Sequence, residues 1–530
     1  MTALLSVQNL DIIIGNVEPV RDLSFELNHG RILGITGESG SGKSMTAFAV
    51  MGLLPEGAEL KGTIALNGKA YDPLDDQDMA QRRGCDIGMI FQEPMTALNP
   101  LMTIGDQVAE LFKHHEGVSK AEARQKARAI LNRVGLDDIP AKRFPHQISG
   151  GQRQRVAIAM AIALKPKLLL ADEPTTALDT TTQKDILTLL HRLVREDNMA
   201  MVLITHDLAL MAQYADDILV MSNGEAVVSG PVSMMLSPQH DILKNLIKTS
   251  LLPQSPDGKT VTDPMLRVRH ITKSYDQKRF FSMAEKRAHV DDVSFTLHQG
   301  EMLGLVGRSG CGKSSLSRIA LALTKADDGT ILFHDTAITQ GHMPRALRPR
   351  LTAVFQDPYA SFNPKMLIRD LVAEPLTQEK ASADQLPHDQ RIIAALAAVG
   401  LNEDYLDRRI NECSGGERQR IAFARAMITH PDVIILDEPV SALDAPHRGK
   451  IMAEISRLSR EQNIATLFIS HDLSVVRAFC PRVMVMSEGR IVEAGDTEAI
   501  FAEPRHPETR RLINAMPDLN SALDRLSEGS

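Results

Sequence analysis

The chain contains no tryptophan, and its aromatic residues make up only 4% of the whole. That is too few for the stacking platforms on which single-stranded nucleic acid is held. Positive charge is not in excess either: 59 Lys and Arg stand against 67 Asp and Glu, a formal net charge of -8. This balance argues against a protein held chiefly by nucleic-acid phosphates. Cysteine is scarce, and Cys85, Cys311, Cys413 and Cys480 lie far apart with no CxxC pair, so neither a zinc or iron–sulfur site nor disulfides are expected. The histidines form no HExxH and no Cys/His cluster, and His114, His115 and His240 read as solvated surface residues. No apolar run reaches the roughly 18 residues that a membrane-spanning helix needs, and no charged-then-apolar leader follows Met1. A cytosolic protein is expected, with any membrane contact made through partners.

What is present is a repeat. The chain has 530 residues, 43% of them hydrophobic and 24% charged, a globular composition too long for one core and suited to two domains. A glycine-rich loop, Gly37-Glu38-Ser39-Gly40-Ser41-Gly42-Lys43-Ser44, returns as Gly307-Arg308-Ser309-Gly310-Cys311-Gly312-Lys313-Ser314. Each copy follows an apolar run and precedes a helix-forming stretch. Lys43 and Lys313 stand 270 residues apart, Gln92 and Gln356 264, and Ser149 and Ser414 265. Asp172 with Glu173 and His206 return at that same 265 as Asp437, Glu438 and His471. Motifs in one order at nearly one offset are a tandem duplication. The boundaries read as a first domain at 1–250, a linker rich in Pro, Ser and Gly at 251–264, and a second domain at 265–530. The second copy also carries a basic stretch, Gln277 to Arg287, which reads as a solvated hairpin, with a membrane or partner contact as the alternative.

Each copy opens with alternating apolar residues, Leu5 to Leu10 and Leu266 to Ile271, that read as strands. Helix-rich stretches follow at about 94–141 and 358–409. Continuous apolar runs at 167–171, 201–204, 433–436 and 466–469 read as buried parallel strands, giving an α/β core with a helical insertion in each copy.

The loops fit the strand, loop and helix pattern that cradles phosphates. Glycines let backbone N–H groups converge, the lysine adds a point charge, and the closing Ser44 or Ser314 can ligand Mg²⁺. Phosphoryl transfer to water also needs a metal, a carboxylate to activate the water and a group that senses the γ-phosphate. Asp172 and Asp437, at the ends of apolar strands, can reach the metal. Glu173 and Glu438 are expected to point the other way along an extended strand and to serve as general bases. Gln92 and Gln356 can ligand metal or water, and His206 and His471 can contact the γ-phosphate.

Phosphate loop, FQ segment, SGGQ, DEP and HD in this order resemble the nucleotide-binding domains of ABC transporters, over nearly the whole chain and in two copies. The resemblance implies tandem P-loop NTPase domains, each a RecA-like core with an antiparallel β subdomain and a helical subdomain. It implies that two domains pair head to tail with ATP between them. One site would use Lys43, Ser44, Gln92, Asp172, Glu173 and His206, closed by Ser414, Gly415 and Gly416. The other would use Lys313, Ser314, Gln356, Asp437, Glu438 and His471, closed by Ser149, Gly150 and Gly151. Asp179 and Asp444 match the loop that links the sites, and Tyr275 matches the aromatic that stacks on adenine. The equivalent stretch of the first copy is Ile12-Ile13-Ile14, and the second signature has Glu417 where Gln is usual.

The segments Phe91 to Pro100 and Phe355 to Pro364, with the tail Glu503 to Thr509, look like the dipeptide/oligopeptide/nickel import subfamily, although Glu508 replaces a Tyr of its HPYT pattern. Fused members serving microcin C or glutathione uptake share this layout. The resemblance implies an ATPase on the cytoplasmic face of the inner membrane, docked on two transmembrane permeases, served by a periplasmic substrate-binding protein and driving uptake of peptides. Nickel, a metallophore or glutathione are alternative cargoes. A soluble twin-domain ATPase acting on ribosomes or DNA is the alternative from another class, against which stand the short polar linker, the scattered cysteines and the acidic total.

Overall fold

The computed structural model describes residues 3–38, 40–92, 97–176, 178–250, 263–275, 288–338, 343–356, 361–378, 387–440 and 445–528. Ser39, Asp444, nearly all of the linker and the basic stretch Gln277 to Arg287 lie outside the described residues. The chain divides into two compact units, one formed by 1–178, 182–251 and 517–530, the other by 179–181 and 252–516.

In the first unit a six-stranded sheet runs in the spatial order Glu225–Pro231, Asp217–Ser222, Ile32–Gly37, Ala200–Ile204, Leu168–Asp172, Ile87–Ile90. Every neighbouring pair is parallel except the edge pair Glu225–Pro231 and Asp217–Ser222. Parallel strands are covered on both faces, which is why their sequences are continuously apolar. Leu168 and Leu170 face a core shared with a four-stranded antiparallel sheet, while Leu169 and Ala171 face a core shared with the helices. The antiparallel sheet has the order Val17–Leu27, Leu5–Ile14, Ala58–Leu66, Lys69–Tyr71.

The helical insertion of this unit begins at polar caps. Thr103 accepts from Asp106 N at the start of Ile104–Glu116, and Ser119 from Glu122 N at the start of Lys120–Arg133. Such caps satisfy backbone donors that a helix start leaves open.

The helix Leu519–Glu528, which the sequence reading counts with the second copy, belongs to the first unit. It packs against Leu208–Tyr214 and the short helix Val232–Leu236. Leu519 and Ala522 are buried in the same core as Met211, Tyr214 and Met235, with Leu523 and Leu526 beside them.

The second unit repeats the plan. Its six-stranded sheet has the order Leu351–Val354, Val433–Asp437, Ala465–Ser470, Met302–Val306, Arg482–Ser487, Arg490–Asp496, and its antiparallel sheet Ala288–His298, Pro264–Ser274, Asp328–Phe333, Thr336–Ile338. Val433 and Ile435 face one core, Ile434 and Leu436 the other. Among the described residues of the chain, no helix is long and apolar enough to cross a membrane.

Candidate functional site

Both glycine-rich loops join a central strand to a helix, Ile32–Gly37 to Lys43–Met51 and Met302–Val306 to Lys313–Ala320. The lysines are nearly buried and fold back onto the carbonyls of their own loops. Lys43 Nζ donates to Gly37 O at 3.0 Å and Glu38 O at 2.8 Å, and Lys313 Nζ to Gly307 O at 2.7 Å and Arg308 O at 3.1 Å. Each cation is thereby held against the backbone of its own loop. Gly42 and Gly312, the residues before the lysines, have φ of 95° and 114°. A Cβ there would lie 2.4 Å from Pro19 O and 2.1 Å from His289 O. Glycine is required at these positions by the close carbonyl of the antiparallel sheet as well as by the left-handed backbone.

Two adjacent carboxylates end the strand beside each loop, and their surroundings push them in opposite directions. Asp172 is raised above the ordinary carboxylate range, first by burial and further by Glu173, with the hydrogen bond from Ser44 and the charge of Lys43 offsetting part of this. Ser44 Oγ donates to Asp172 Oδ1 at 3.1 Å. Asp437 is raised in the same way, burial again leading, against hydrogen bonds from Ser317 and Ser314 and the charge of Lys313. Glu173 is lowered: burial would raise it, but His206, Thr176 and Gln92 together outweigh burial and hold it down at about 2. The contacts are Gln92 Nε2 to Glu173 Oε2 at 2.9 Å, Thr176 Oγ1 to the same oxygen at 2.9 Å, and His206 Nδ1 to Oε1 at 3.3 Å. In the second unit Gln356 Nε2 donates to Glu438 Oε2 at 2.9 Å, and His471 Nδ1 lies 3.2 Å from that oxygen. Glu438 is lowered too, with burial overcome by the hydrogen bond and charge of His471 and by Lys313. Neighbouring carboxyls pushed apart in this way are suited to different roles.

The glutamates do not continue an extended strand, as the sequence reading expects. The strands end at Asp172 and Asp437, and Glu173 and Glu438 have φ of 44° and 52°. Glu173 N donates to Ile204 O and Glu438 N to Ile469 O, which anchors the turn. The carboxylates diverge through a left-handed residue. For a side chain other than glycine this conformation costs about 1–2 kcal/mol. It recurs at the same place in both units, anchored in each by that backbone hydrogen bond.

Ser149 and Ser414 cap the helices Gly150–Ile162 and Gly415–Met427. Ser149 N donates to Gln152 Oε1 at 3.0 Å and Gln152 N to Ser149 Oγ at 3.3 Å. Glu417 does the same work for Ser414, whose N lies 2.7 Å from Glu417 Oε2, and Tyr405 donates its hydroxyl to the other oxygen. The Gln-to-Glu departure therefore leaves the helix start unchanged. Gly150, Gly151, Gly415 and Gly416 lie in the first turns, where backbone N–H groups and the positive dipole end favour an anion.

Tyr275 is half exposed, with His289 edge-on at 5.1 Å between ring centroids. The backbone carbonyl of that histidine is the one that approaches Gly312 of the phosphate loop. Its counterpart stretch in the first unit is part of a strand in which Ile12 is fully buried. Two functional neighbours escaped the sequence reading. Thr176 sits three residues past the Glu173 it supports. Ser317 Oγ donates to Asp437 Oδ2 at 3.0 Å, one helical turn beyond Ser314, and that spacing was the available signal.

Comparison with known proteins gives the family of the chain. The ABC transporter family model matches residues 20–176 and again 290–441. The glutathione import ATP-binding protein GsiA of Escherichia coli K12 is 41% identical over 97% of this chain and 89% of its own length. The protein of the same name from Shigella sonnei is equally similar, 41% over 97% and 89%. A solved ATP-binding cassette dimer carrying ADP and phosphate is 30% identical over 43% of this chain and 98% of its own, with a TM-score of 0.39. With a phosphate loop and a paired Asp-Glu strand end in each half, and matches of this length, the chain belongs to the ABC transporter family, as an ATPase carrying two ATP-binding cassettes in one polypeptide.

Proposed function

We propose that the chain is the energising subunit of a bacterial importer, peripheral on the cytoplasmic face of the membrane and docked on two separate permeases, in a system served by a periplasmic binding protein. The end-to-end similarity to relatives named as import ATP-binding proteins is the observation that carries this reading. A groove of about 610 Å³ in the helical part of the first unit supports it. Met102, Leu111 and Met160 give the groove an apolar lining and Asn99, Gln107 and His114 a polar one, which suits a short amphipathic helix. It begins only a few residues beyond Gln92, so a docked permease helix would press on the segment that carries that glutamine. Peptides are the cargo class, and the name of the relatives makes glutathione the first peptide to try.

In the proposed cycle ATP is held between a phosphate loop of one cassette and the serine-capped helix start of the other. Lys43, Ser44, Gln92, Asp172, Glu173 and His206 act with Ser414, Gly415 and Gly416. Lys313, Ser314, Gln356, Asp437, Glu438 and His471 act with Ser149, Gly150 and Gly151. Tyr275 stacks on the adenine at the second site. Asp179 and Asp444 belong to the link between sites. The donor set Ser44, Asp172 and Gln92 is all oxygen, with the serine and aspartate oxygens already 3.1 Å apart, and it fits Mg²⁺, as does Ser314, Asp437 and Gln356. When bound, Mg²⁺ neutralises charge on the phosphates. Glu173 and Glu438 orient and deprotonate the attacking water. Without ATP their partners hold them ionised but weakly basic. When the γ-phosphate draws His206 away, Glu173 loses the contact that depresses its basicity and becomes a better base.

The test is affinity purification of the Glu173→Gln, Glu438→Gln variant with ATP from gently solubilised cells, followed by mass spectrometry. Two polytopic membrane proteins are the expected companions. Ribosomal proteins or DNA without a permease would overturn the importer reading.

A further inference from the structure

The two phosphate loops differ at their second residue, Glu38 in the first unit and Arg308 in the second. A second difference lies at the start of the second helix after the last strand of each unit, Asp241–Ser250 and Pro507–Ala515. His240 Nδ1 accepts from Ile242 N at 3.2 Å, and His506 Nδ1 accepts from Glu508 N at 3.2 Å, so the same histidine cap places Ile242 and Glu508 at equivalent points. Ile242 packs against the apolar core of its unit. Glu508 instead puts its carboxylate beside the phosphate loop, with Oε1 4.0 Å from Arg308 Nε. That oxygen is buried and, among the described residues, has no hydrogen-bond partner. The charge of Glu508 is also felt by the Cys311 thiol of the same loop, which burial pushes up.

We infer that Glu508 is a positioning residue for the second phosphate loop: its carboxylate faces Arg308 across 4.0 Å and draws it in when the loop wraps a phosphate, a restraint for which the first loop, with Glu38, carries the wrong charge. The backbone behind Glu508 is firm. Glu493, on the strand Arg490–Asp496, accepts from Arg505 N at 2.9 Å and His506 N at 3.0 Å and fixes the entry to the helix Pro507–Ala515. A buried carboxylate oxygen without a donor is costly, and a guanidinium is the group that relieves it. The 4.0 Å separation leaves Arg308 room to close on Glu508 as the loop wraps a phosphate. Acid and base are placed as a matched pair, because a loop carrying Glu38 could not have faced a carboxylate without repulsion.

This inference rests on the reading that nucleotide binds at the second phosphate loop, and the experiment separates the two. In the full chain carrying Lys43→Ala, which silences the first loop, binding of a fluorescent ATP analogue is titrated. Glu508→Gln, nearly isosteric, should weaken binding by about threefold to tenfold and raise KM for ATP with kcat little changed. Arg308→Glu should weaken it likewise, and the exchanged pair Arg308→Glu, Glu508→Arg should restore it, which a merely structural role would not do. Unchanged or tighter binding by Glu508→Gln, or no recovery in the exchanged pair, overturns the inference. Binding that survives Lys43→Ala with Lys313→Ala overturns the site reading and the inference with it.

Discussion

Glu173 Oε1 lies 3.3 Å from His206 Nδ1, and Glu438 Oε2 lies 3.2 Å from His471 Nδ1. In both units the histidine therefore stabilises the ionised glutamate, and Glu173 sits at about 2 against an ordinary 4.5. A carboxyl lowered on folding contributes stability that is present above its unfolded value and is lost as pH falls through its folded value. The window here runs from about 4.5 down to about 2. His206→Ala removes the largest stabilising partner, so the difference in unfolding free energy between the parent and this variant should shrink as pH falls through that window. Denaturant titrations at several pH values check this. A difference independent of pH would show that the histidine acts elsewhere.

Asp172 is shifted the other way, and the sign of its effect reverses. Burial disfavours its charge, so at neutral pH the ionised Asp172 costs stability in the nucleotide-free protein. Asp172→Asn keeps an oxygen for Ser44 and removes that charge. The thermal midpoint of the first unit should rise by about 2–4 °C while ATP hydrolysis falls, a stability gain at the expense of the site. Differential scanning fluorimetry without nucleotide, beside an ATPase assay, reads both. A lower midpoint would mean that the carboxylate is held by favourable contacts.

Much of this arrangement was legible in the sequence because its physics is local. A strand buried on both faces must be apolar throughout, so 167–171 and 433–436 announced themselves. Phosphate loops need glycine, lysine and serine at fixed spacing, and a capped helix needs its serine three residues before Gln152 or Glu417. Other features depend on contacts distant in sequence. Pro174 says that the strand must stop nearby, but not that Glu173 turns left-handed, because that turn is anchored by Ile204 O of a neighbouring strand. Leu519, Ala522, Leu523 and Leu526 mark an apolar helix face, but their spacing does not name the surface that covers it. Glu508 stood out as a departure from a pattern, and only the fold shows it beside Arg308.

Ser317 separates the two cassettes chemically. Its hydroxyl is fully buried and donates to Asp437, while the equivalent residue of the first unit, at the 270-residue offset of the loops, is Ala47. Ser317→Ala should destabilise the second unit by about 1–3 kcal/mol, the cost of taking a donor from a buried acid. It should also raise the Asp437 carboxyl further. Carbon-13 titration of the aspartate carboxyls in parent and variant measures the shift, and an unmoved resonance would show that Ser314 alone suffices.

The helix Leu519–Glu528 covers part of the first unit although it ends the chain. Leu519 is 5% exposed and Ala522 2%, so removing the helix uncovers the surface carrying Met211, Tyr214 and Met235. Each large side chain left facing water forfeits about 1.5–3 kcal/mol. A chain ending at Met516 should therefore lose stability in its first unit, and a peptide of residues 517–530 added in trans should restore part of it. Tyr214 supplies a local reporter. Burial pushes its hydroxyl up, against a hydrogen bond shared with Thr188 and the charge of Arg525 on the terminal helix. Truncation strips cover from that hydroxyl, and the Tyr214 titration should move down, toward that of a solvated tyrosine. Ultraviolet titration of the truncated chain against its Tyr214→Phe variant isolates that one hydroxyl. A titration that stays high after truncation would mean that Leu208–Tyr214 is covered without the terminal helix.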